Sequence, residues 1–231
     1  MNKESNVYTL IYASVMVVLV ALTLAFTSES LRPQQKKNED IDKMRQILTS
    51  INIESTNANA ESLYKETITD EYVINSQGEK VSGDAFATEL VDELRKPVQD
   101  RIYPVFEATI DGNKKYILSL RGAGLWGPLW GFIAVDQDKK TIYGASFGHE
   151  GETPGLGAEI DKPVFAHEFI GKNIFNPEGK FTSVAVVKPG RTAIDRDYVD
   201  GISGGTITSQ GVESMLFTSL GAYEPFLKTK E

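Results

Sequence analysis

An uninterrupted apolar run near the N-terminus is the strongest pattern in the chain. Residues 7–26 read VYTLIYASVMVVLVALTLAF, and no charged side chain occurs from Ser5 to Ser28. A helix that rises about 1.5 Å per residue needs about 20 apolar residues to cross a bilayer. A cleaved signal peptide has a shorter apolar run followed by a small-residue cleavage site, which this sequence lacks. The pattern therefore predicts a single transmembrane anchor within residues 1–30.

The next segment, residues 31–96, is more polar and predicts a juxtamembrane helical region that leads into a domain. Pro33 is expected to break the chain after the membrane helix. Apolar residues then recur at helical spacing between residues 36 and 53, at Ile41, Met44, Leu48 and Ile51. A second helical stretch is expected from about residue 83 to residue 96, where Pro97 ends it.

Short apolar segments separated by turn residues begin at Val105 and predict β-strands. Two hairpins are expected, which join residues 106–110 to 115–120 and residues 131–135 to 141–147. A further strand is predicted at residues 181–188, and a closing helix at residues 209–227. Hairpins followed by a helix favour an α+β fold over a doubly wound sheet. Residues 97–231 are therefore expected to form one domain with antiparallel strands and flanking helices.

Composition and charge narrow the possible functions. The formal net charge is −8, so a nucleic-acid phosphate backbone would be repelled, and nucleic acid is not an expected partner. The chain has no cysteine, which excludes disulfides, thiolate metal sites and iron–sulfur ligation. It has only two histidines, His149 and His167, so a multi-histidine metal site is not expected.

Three segments are rich in glycine: GAGLWGPLWG at 122–131, HEGETPGLGA at 149–158 and DGISGGTITSQG at 200–211. Glycine serves ordinary turns, but it also lets a backbone approach a ligand closely. The third segment precedes the closing helix, and Thr206, Thr208 and Ser209 are candidate N-caps. Backbone N–H groups at a helix start also suit a phosphate. Capping and phosphate binding are both compatible with this pattern.

The run from Asp200 to Thr206, DGISGGT, resembles the D-x-x-S/T-G-A-T flavinylation signature of FMN-binding domains. Gly205 stands where that signature usually has alanine. The resemblance implies that a dedicated flavin transferase joins FMN to Thr206 through a phosphoester. It also implies that the cofactor's surroundings include Ser203, Gly204, Gly205, Ile207 and Thr208.

The second glycine-rich segment resembles the H-x-x-E-T-P-G-L-G loop of the same domain family, with His149 as its first residue. The resemblance implies that Leu156 touches the face of the flavin and that Thr153 lies near its polar edge. It extends the cofactor-binding set to Glu152, Gly155 and Gly157. Asp200, Glu152 and Glu150 are candidate polar partners, although each is equally compatible with a solvated carboxylate.

The first segment separates two branches of the family. Residues 124–126 and 130–132, GLW and WGF, resemble the G-L-W...Y-G-F stretch of the C subunits of the sodium-translocating NADH:quinone reductase, with Trp130 in place of tyrosine. The sister branch, the G subunit of the Rnf complex, generally lacks G-L-W. The resemblance places Trp126 beside the flavin. It implies an electron-transfer subunit that relays electrons between neighbouring cofactors during NADH oxidation, quinone reduction and Na⁺ pumping. No catalytic residue or metal ligand is expected.

The resemblance also implies partners and a location. Partners would be other membrane subunits of the complex, the flavin transferase and membrane lipid along residues 7–26. The chain would be a single-pass protein of the bacterial inner membrane with its domain on the outer, periplasmic side. Lys/Arg counts weakly favour the opposite orientation, since Arg32, Lys36 and Lys37 follow the anchor and Lys3 precedes it. Long domains, however, translocate largely regardless of charge.

Three other functions remain as alternatives. The first is the equivalent FMN relay subunit of an Rnf-type complex, against which the G-L-W stretch argues. The glycine loops are compatible with a membrane-tethered module that binds a phosphate ligand without redox chemistry. A hydrolase that uses His149 and Ser203 is disfavoured, because the sequence contains no nucleophile elbow and no oriented base.

Overall fold

The N-terminal part of the chain is one long helix, α1 (Asn6–Ser50), in the computed structural model, which describes residues 6–229. Pro33 lies inside α1, so the predicted break at this residue is wrong. The helix continues on both sides of it, where a Glu29–Arg32 ion pair and a Lys36–Asp40 ion pair join successive turns. A window of 18 residues in α1 has a mean hydropathy of 2.4 and is wholly unburied. By length and composition, this helix is able to cross a membrane.

The chain divides into two compact units between Lys43 and Met44. The second unit begins with the last turns of α1, where Ile47, Leu48 and Ile51 are buried. These side chains pack on one face of a β-sheet together with Tyr64 of α2 (Ala60–Thr67). The helical spacing predicted for residues 36–53 is confirmed, with the helix ending at Ser50.

The second unit is built on a six-stranded antiparallel sheet of order β2-β1-β3-β4-β5-β6. Its strands are β1 (Ile68–Asn75), β2 (Lys80–Val81), β3 (Ile102–Ile110), β4 (Asn113–Ala123), β5 (Pro128–Asp136) and β6 (Ile142–His149). Both predicted hairpins are confirmed. The β3–β4 loop is Asp111–Gly112, both at positive φ, which matches the twist of the flanking strands.

The helical character expected for residues 31–96 is wrong beyond α2. β1 and β2 fall in this segment, because pairing of β1 with β3 buries Val73 and Ile74. Of the helix expected at 83–96, only α3 (Leu90–Glu93) forms, followed by a 3₁₀ turn at Val98–Asp100. The Asp84 carboxylate accepts the N–H of Ala87 as an N-cap does, but only a single turn follows it. The division at residue 96 itself stays a prediction.

The other face of the sheet is covered by α5 (Thr206–Ala222), which continues into α6 (Glu224–Leu227). The predicted closing helix is thus confirmed and begins at Thr206. In the sequence between β6 and α5, the chain forms α4 (Pro163–His167) and two short strands, β7 (Ala185–Val187) and β8 (Tyr198–Asp200), which pair in parallel. The strand expected at 181–188 is confirmed only over β7. The α+β fold class is confirmed.

Candidate functional site

Thr206 is the first residue of α5, and its side chain is exposed to solvent. The N-cap is Gly205, which has no capping side chain. The three candidate caps are therefore wrong: Thr206 lies inside the helix, and the other two hydroxyls have different partners. Thr208 donates to Glu152, and the Ser209 hydroxyl accepts the N–H of Ile202.

The start of α5 presents unpaired backbone donors. Ser209 donates its N–H to the carbonyl of Gly205 at 2.9 Å. In the part of the chain that the structure describes, the N–H groups of Thr206, Ile207 and Thr208 donate to no other residue. Such donors, together with the positive end of the helix dipole, favour an anion. The loop before them depends on Gly204, whose φ is +77° and whose Cβ would lie 2.7 Å from Cδ2 of Leu156.

One buried carboxylate joins the three glycine-rich segments. Glu152 is 5% exposed. Its Oε1 accepts the backbone N–H of Trp126 at 2.9 Å, and its Oε2 accepts the hydroxyl of Thr208 at 2.6 Å. The N–H of Glu152 donates to Nδ1 of His149 at 3.2 Å. The β4–β5 loop, the loop after β6 and the start of α5 therefore meet at a single side chain.

Glycines surround this carboxylate closely. A Cβ on Gly124 would lie 2.3 Å from Oε1 of Glu152, and a Cβ on Gly157 would lie 2.4 Å from Oε2 and from the Thr208 hydroxyl. Real Cβ atoms do not approach so closely, so both positions require glycine while Glu152 keeps this position. Gly124 and Gly157 thus leave room for the Glu152 carboxylate, a role that the sequence pattern of turns did not predict.

Large apolar side chains near these loops are exposed. Trp126 is 68% exposed, Ile207 53% and Leu156 42%. Of the other expected cofactor residues, Ser203, Gly204, Thr153 and Gly155 are exposed, whereas Gly205 and Gly157 are buried. Gly155 has a φ of +75°, and its N–H donates to Glu159. Solvent-exposed aromatic and aliphatic groups beside open donors are typical of a ligand site.

A cavity of about 470 Å³ lies beside Thr206. Its wall includes residues 201–204 and Gln210, which belong to the third glycine-rich segment, and residues 186–189. No sequence pattern marked residues 186–189 as part of the site, because they reach it only through the pairing of β7 with β8. This stretch brings the exposed cation of Lys188 to the cavity.

The remaining candidate residues are Asp200, Glu150 and His149. The N–H of Asp200 donates to the carboxylate of Glu168 at 2.9 Å, and Glu150 is exposed. Nε2 of His149 lies 3.8 Å from Asp161, while its Nδ1 accepts the Glu152 N–H. Both ring nitrogens are therefore directed at groups other than Ser203, which argues against the hydrolase alternative. No cluster of potential metal ligands occurs among residues 6–229.

Comparison with known proteins gives the class of this fold and site. Residues 124–220 match the family model of an FMN-binding domain, a range that begins at the G-L-W stretch and contains the other two motifs. The structure of Shewanella oneidensis NqrC covers 84% of this chain and all of its own, with a TM-score of 0.69 and 24% identity. That likeness supports the fold. The class is thus that of proteins with an FMN-binding domain.

Closer relatives identify the family. The C subunit of the Na⁺-translocating NADH-quinone reductase of Yersinia pestis is 30% identical over 98% of this chain and 94% of its own length. The Pseudomonas aeruginosa C subunit is 29% identical over 98% and 96%. The crystal structure of the Parabacteroides distasonis C subunit is 59% identical and covers 87% of this chain and 98% of its own, with a TM-score of 0.83. The chain belongs to the family of C subunits of the Na⁺-translocating NADH-quinone reductases, as its motifs predicted.

Proposed function

We propose that this chain carries FMN covalently on the hydroxyl of Thr206 and relays electrons in a Na⁺-translocating NADH:quinone reductase. The observation that carries the proposal is the place of Thr206, an exposed hydroxyl at the first residue of a 17-residue helix. This residue lies in the segment that matches an FMN-binding domain. The relatives named above are subunits of that reductase.

The start of α5 has the features that a phosphate requires. The N–H groups of residues 206–208 have no partner among the described residues, and they are available to donate to phosphate oxygens. Ser203 adds a hydroxyl, and Gly204 and Gly205 keep side chains out of the approach. The exposed Lys188 adds a positive charge on the neighbouring wall. These residues fit the phosphate of FMN.

The hydroxyl of Thr206 has no activating base among the residues that the structure describes. A threonine hydroxyl without a base is a poor nucleophile. This supports attachment by a separate flavin transferase, and that enzyme is a partner in the proposal. The chain then acts as the acceptor and presents its hydroxyl at an exposed helix start.

The exposed apolar side chains are suited to the ring of FMN. Trp126, Leu156 and Ile207 offer exposed apolar surface, and the exposed Thr153 offers a hydroxyl. When bound, FMN supplies the electron-accepting chemistry, and the protein supplies its position and electrical environment. Covering the exposed Trp126 and Leu156 would exclude water from one side of the ring. Glu152 and Thr208 bond to each other, so their contribution is to support these contacts.

We infer further that residues 7–26 anchor the chain in the bacterial inner membrane and that the FMN domain faces the outer side. The 18-residue window with mean hydropathy 2.4 supports the anchor, and the relatives support a membrane complex. Protease added to intact spheroplasts should remove the domain in this orientation. A domain that is cleaved only after the cells are lysed would place it in the cytoplasm.

The attachment is tested by expressing the full chain together with a flavin transferase. After denaturation and electrophoresis, the wild-type band should fluoresce under ultraviolet light, and Thr206→Ala should not. Thr218→Ala is the matched control, because Thr218 is an exposed threonine on the same helix. Fluorescence that persists in Thr206→Ala, or that is absent from wild type beside an active transferase, would contradict the proposal. A wild type without flavin would favour the non-redox phosphate module.

A further inference from the structure

We propose that Glu152 is a positioning residue for flavin attachment, whose buried carboxylate holds the start of α5, and so Thr206, against the loops that carry Trp126 and Leu156. This inference rests on the proposed attachment at Thr206. It concerns the hydrogen bonds that hold the three glycine-rich segments at fixed positions relative to one another before FMN is attached. The residue acts through its neighbours and does not touch the flavin.

The two carboxylate oxygens of Glu152 accept hydrogen bonds from different parts of the chain. Oε1 accepts the backbone N–H of Trp126 at 2.9 Å, and Oε2 accepts the hydroxyl of Thr208 at 2.6 Å. The two donors belong to the β4–β5 loop and to α5. Since the carboxylate is rigid and planar, the two bonds together fix the distance between that loop and the helix. Bonds to an ionised acceptor are stronger than neutral ones, and burial strengthens them further.

Among residues 6–229, the Glu152 carboxylate has no hydrogen-bond partner besides Trp126 and Thr208. Gly124 lies against Oε1 and Gly157 against Oε2, each so close that a Cβ would overlap with the oxygen. The side chain is 5% exposed. A ligand therefore has little access to Glu152. What the carboxylate determines is the position of the groups bonded to it.

Thr208 follows Thr206 by two residues on the same helix. Both lie in the first turn of α5, where the N–H of Ser209 is the first donor bonded to the preceding turn. Helix ends fray, because their first donors lack partners within the helix. The Thr208 hydroxyl bond holds this turn from its buried side, and the Ser209 hydroxyl holds the preceding loop through Ile202. Without the Glu152 acceptor, the first turn of α5 would lose this bond, and the Thr206 hydroxyl would no longer be held in one position.

The test uses the full chain, a flavin transferase and four variants. These variants separate the effect of the Glu152–Thr208 hydrogen bond from the effect of side-chain volume. In Glu152→Gln the amide oxygen still accepts the Trp126 N–H, and the NH₂ group is able to donate to the Thr208 hydroxyl. Thr208→Ser keeps the hydroxyl, whereas Thr208→Val keeps the volume and loses it. Glu152→Ala removes both acceptors. Glu178→Ala, at an exposed carboxylate in the turn between Asn176 and Gly179, is the control.

Two readouts are needed: the initial rate of covalent FMN incorporation, and the visible circular dichroism of the attached flavin. A misplacement of about 1 Å at a reacting group costs about 100-fold in rate. Glu152→Ala and Thr208→Val should therefore lower the rate by about 10- to 100-fold and change the dichroism. Glu152→Gln, Thr208→Ser and Glu178→Ala should stay close to wild type. The double variant Glu152→Ala/Thr208→Val should lose little more than Glu152→Ala alone, because Glu152→Ala already breaks the bond that Thr208→Val removes.

Thermal unfolding of the unmodified proteins separates positioning from stability. A Glu152→Ala protein that melts earlier but incorporates flavin at the wild-type rate, well below its midpoint, would overturn the proposal. The proposal would also be overturned if the losses in incorporation rate of the two single variants add in the double variant. If Glu152→Ala does not fold, Thr208→Val against Thr208→Ser decides. Wild type without covalent flavin would overturn the proposed attachment itself, a result distinct from an unchanged rate in a flavinylated background.

Discussion

The hydroxyl of Thr208 donates to Oε2 of Glu152 at 2.6 Å across 56 residues of sequence. Both side chains are buried, with Thr208 2% and Glu152 5% exposed. The same carboxylate accepts the Trp126 N–H, so the Glu152 side chain is bonded both to α5 and to the β4–β5 loop. A buried acceptor that loses its donor carries the full desolvation cost of an unpaired charge.

Removing the Thr208 hydroxyl should therefore destabilise the folded domain. Thr208→Val keeps the volume and is expected to lower the free energy of unfolding by about 1.5–3 kcal/mol, the usual range for a bond to a charged group. Chemical denaturation of the domain would measure this. Thr218→Val, at an exposed position on the same helix, should change it by less than about 0.5 kcal/mol. Equal effects of the two substitutions would mean that the Glu152 bond contributes nothing to stability.

Two glycines of the β4–β5 loop should respond differently to alanine. A Cβ on Gly124 would lie 2.3 Å from the Glu152 carboxylate, whereas a Cβ on Gly127 would meet its nearest atom, in Glu150, at 3.5 Å. Gly124→Ala should lower the denaturation midpoint, because Glu152 must move away from Trp126. Gly127→Ala should leave the midpoint nearly unchanged. If Gly127→Ala is the more damaging of the two, the packing around Glu152 has been misassigned.

The exposed apolar residues should report on the ring of the flavin. Leu156→Ala and Trp126→Ala should shift the visible absorption bands or the reduction potential without removing covalent FMN. Neither should cost much stability, since Leu156 is 42% and Trp126 68% exposed. Ile194→Ala, at a side chain that is 84% exposed, is the control. Spectra and potentials identical to wild type in both variants would place the ring elsewhere.

The end of α1 should be required for folding, and its apolar beginning only for membrane attachment. A fragment that starts at Leu31 is expected to be soluble without detergent and folded. A fragment that starts at Asn52 lacks Ile47, Leu48 and Ile51, which are at most 1% exposed. Each such side chain stabilises by about 1.5–3 kcal/mol on burial, so this fragment should unfold or aggregate. Circular dichroism distinguishes the outcomes, and a need for detergent in the longer fragment would contradict the anchor at 7–26.

Local patterns predicted the parts of the fold that local chemistry determines. The long apolar helix at the N-terminus, the β3–β4 and β5–β6 hairpins and the closing helix expected at 209–227 follow from apolar runs, turn residues and periodicity. β1 was missed because its pairing with β3 depends on contacts that are distant in sequence. Pro33 was misread, since one lost helix donor does not end a helix that is otherwise continuous.

The candidate site could be outlined from motifs in the sequence, but its internal arrangement could not. Resemblance brought together Trp126, Leu156 and Thr206, and the structure has them on two loops and the start of α5, which meet at Glu152. The role of Glu152 could not be read from its motif, because it depends on a hydroxyl in another segment and on two glycines that make room. Lys188 was missed because it reaches the cavity only through the pairing of two short strands.

The most direct test of the central claim is peptide mapping of the full chain after expression with a flavin transferase. Protease digestion and mass spectrometry should find one peptide that is heavier by FMN less one water, and fragmentation should place this mass on Thr206. The corresponding peptide of Thr206→Ala should carry no added mass. Flavin mass on Thr208, Ser203 or any other residue, or a wild-type Thr206 peptide without added mass beside an active transferase, would contradict the account.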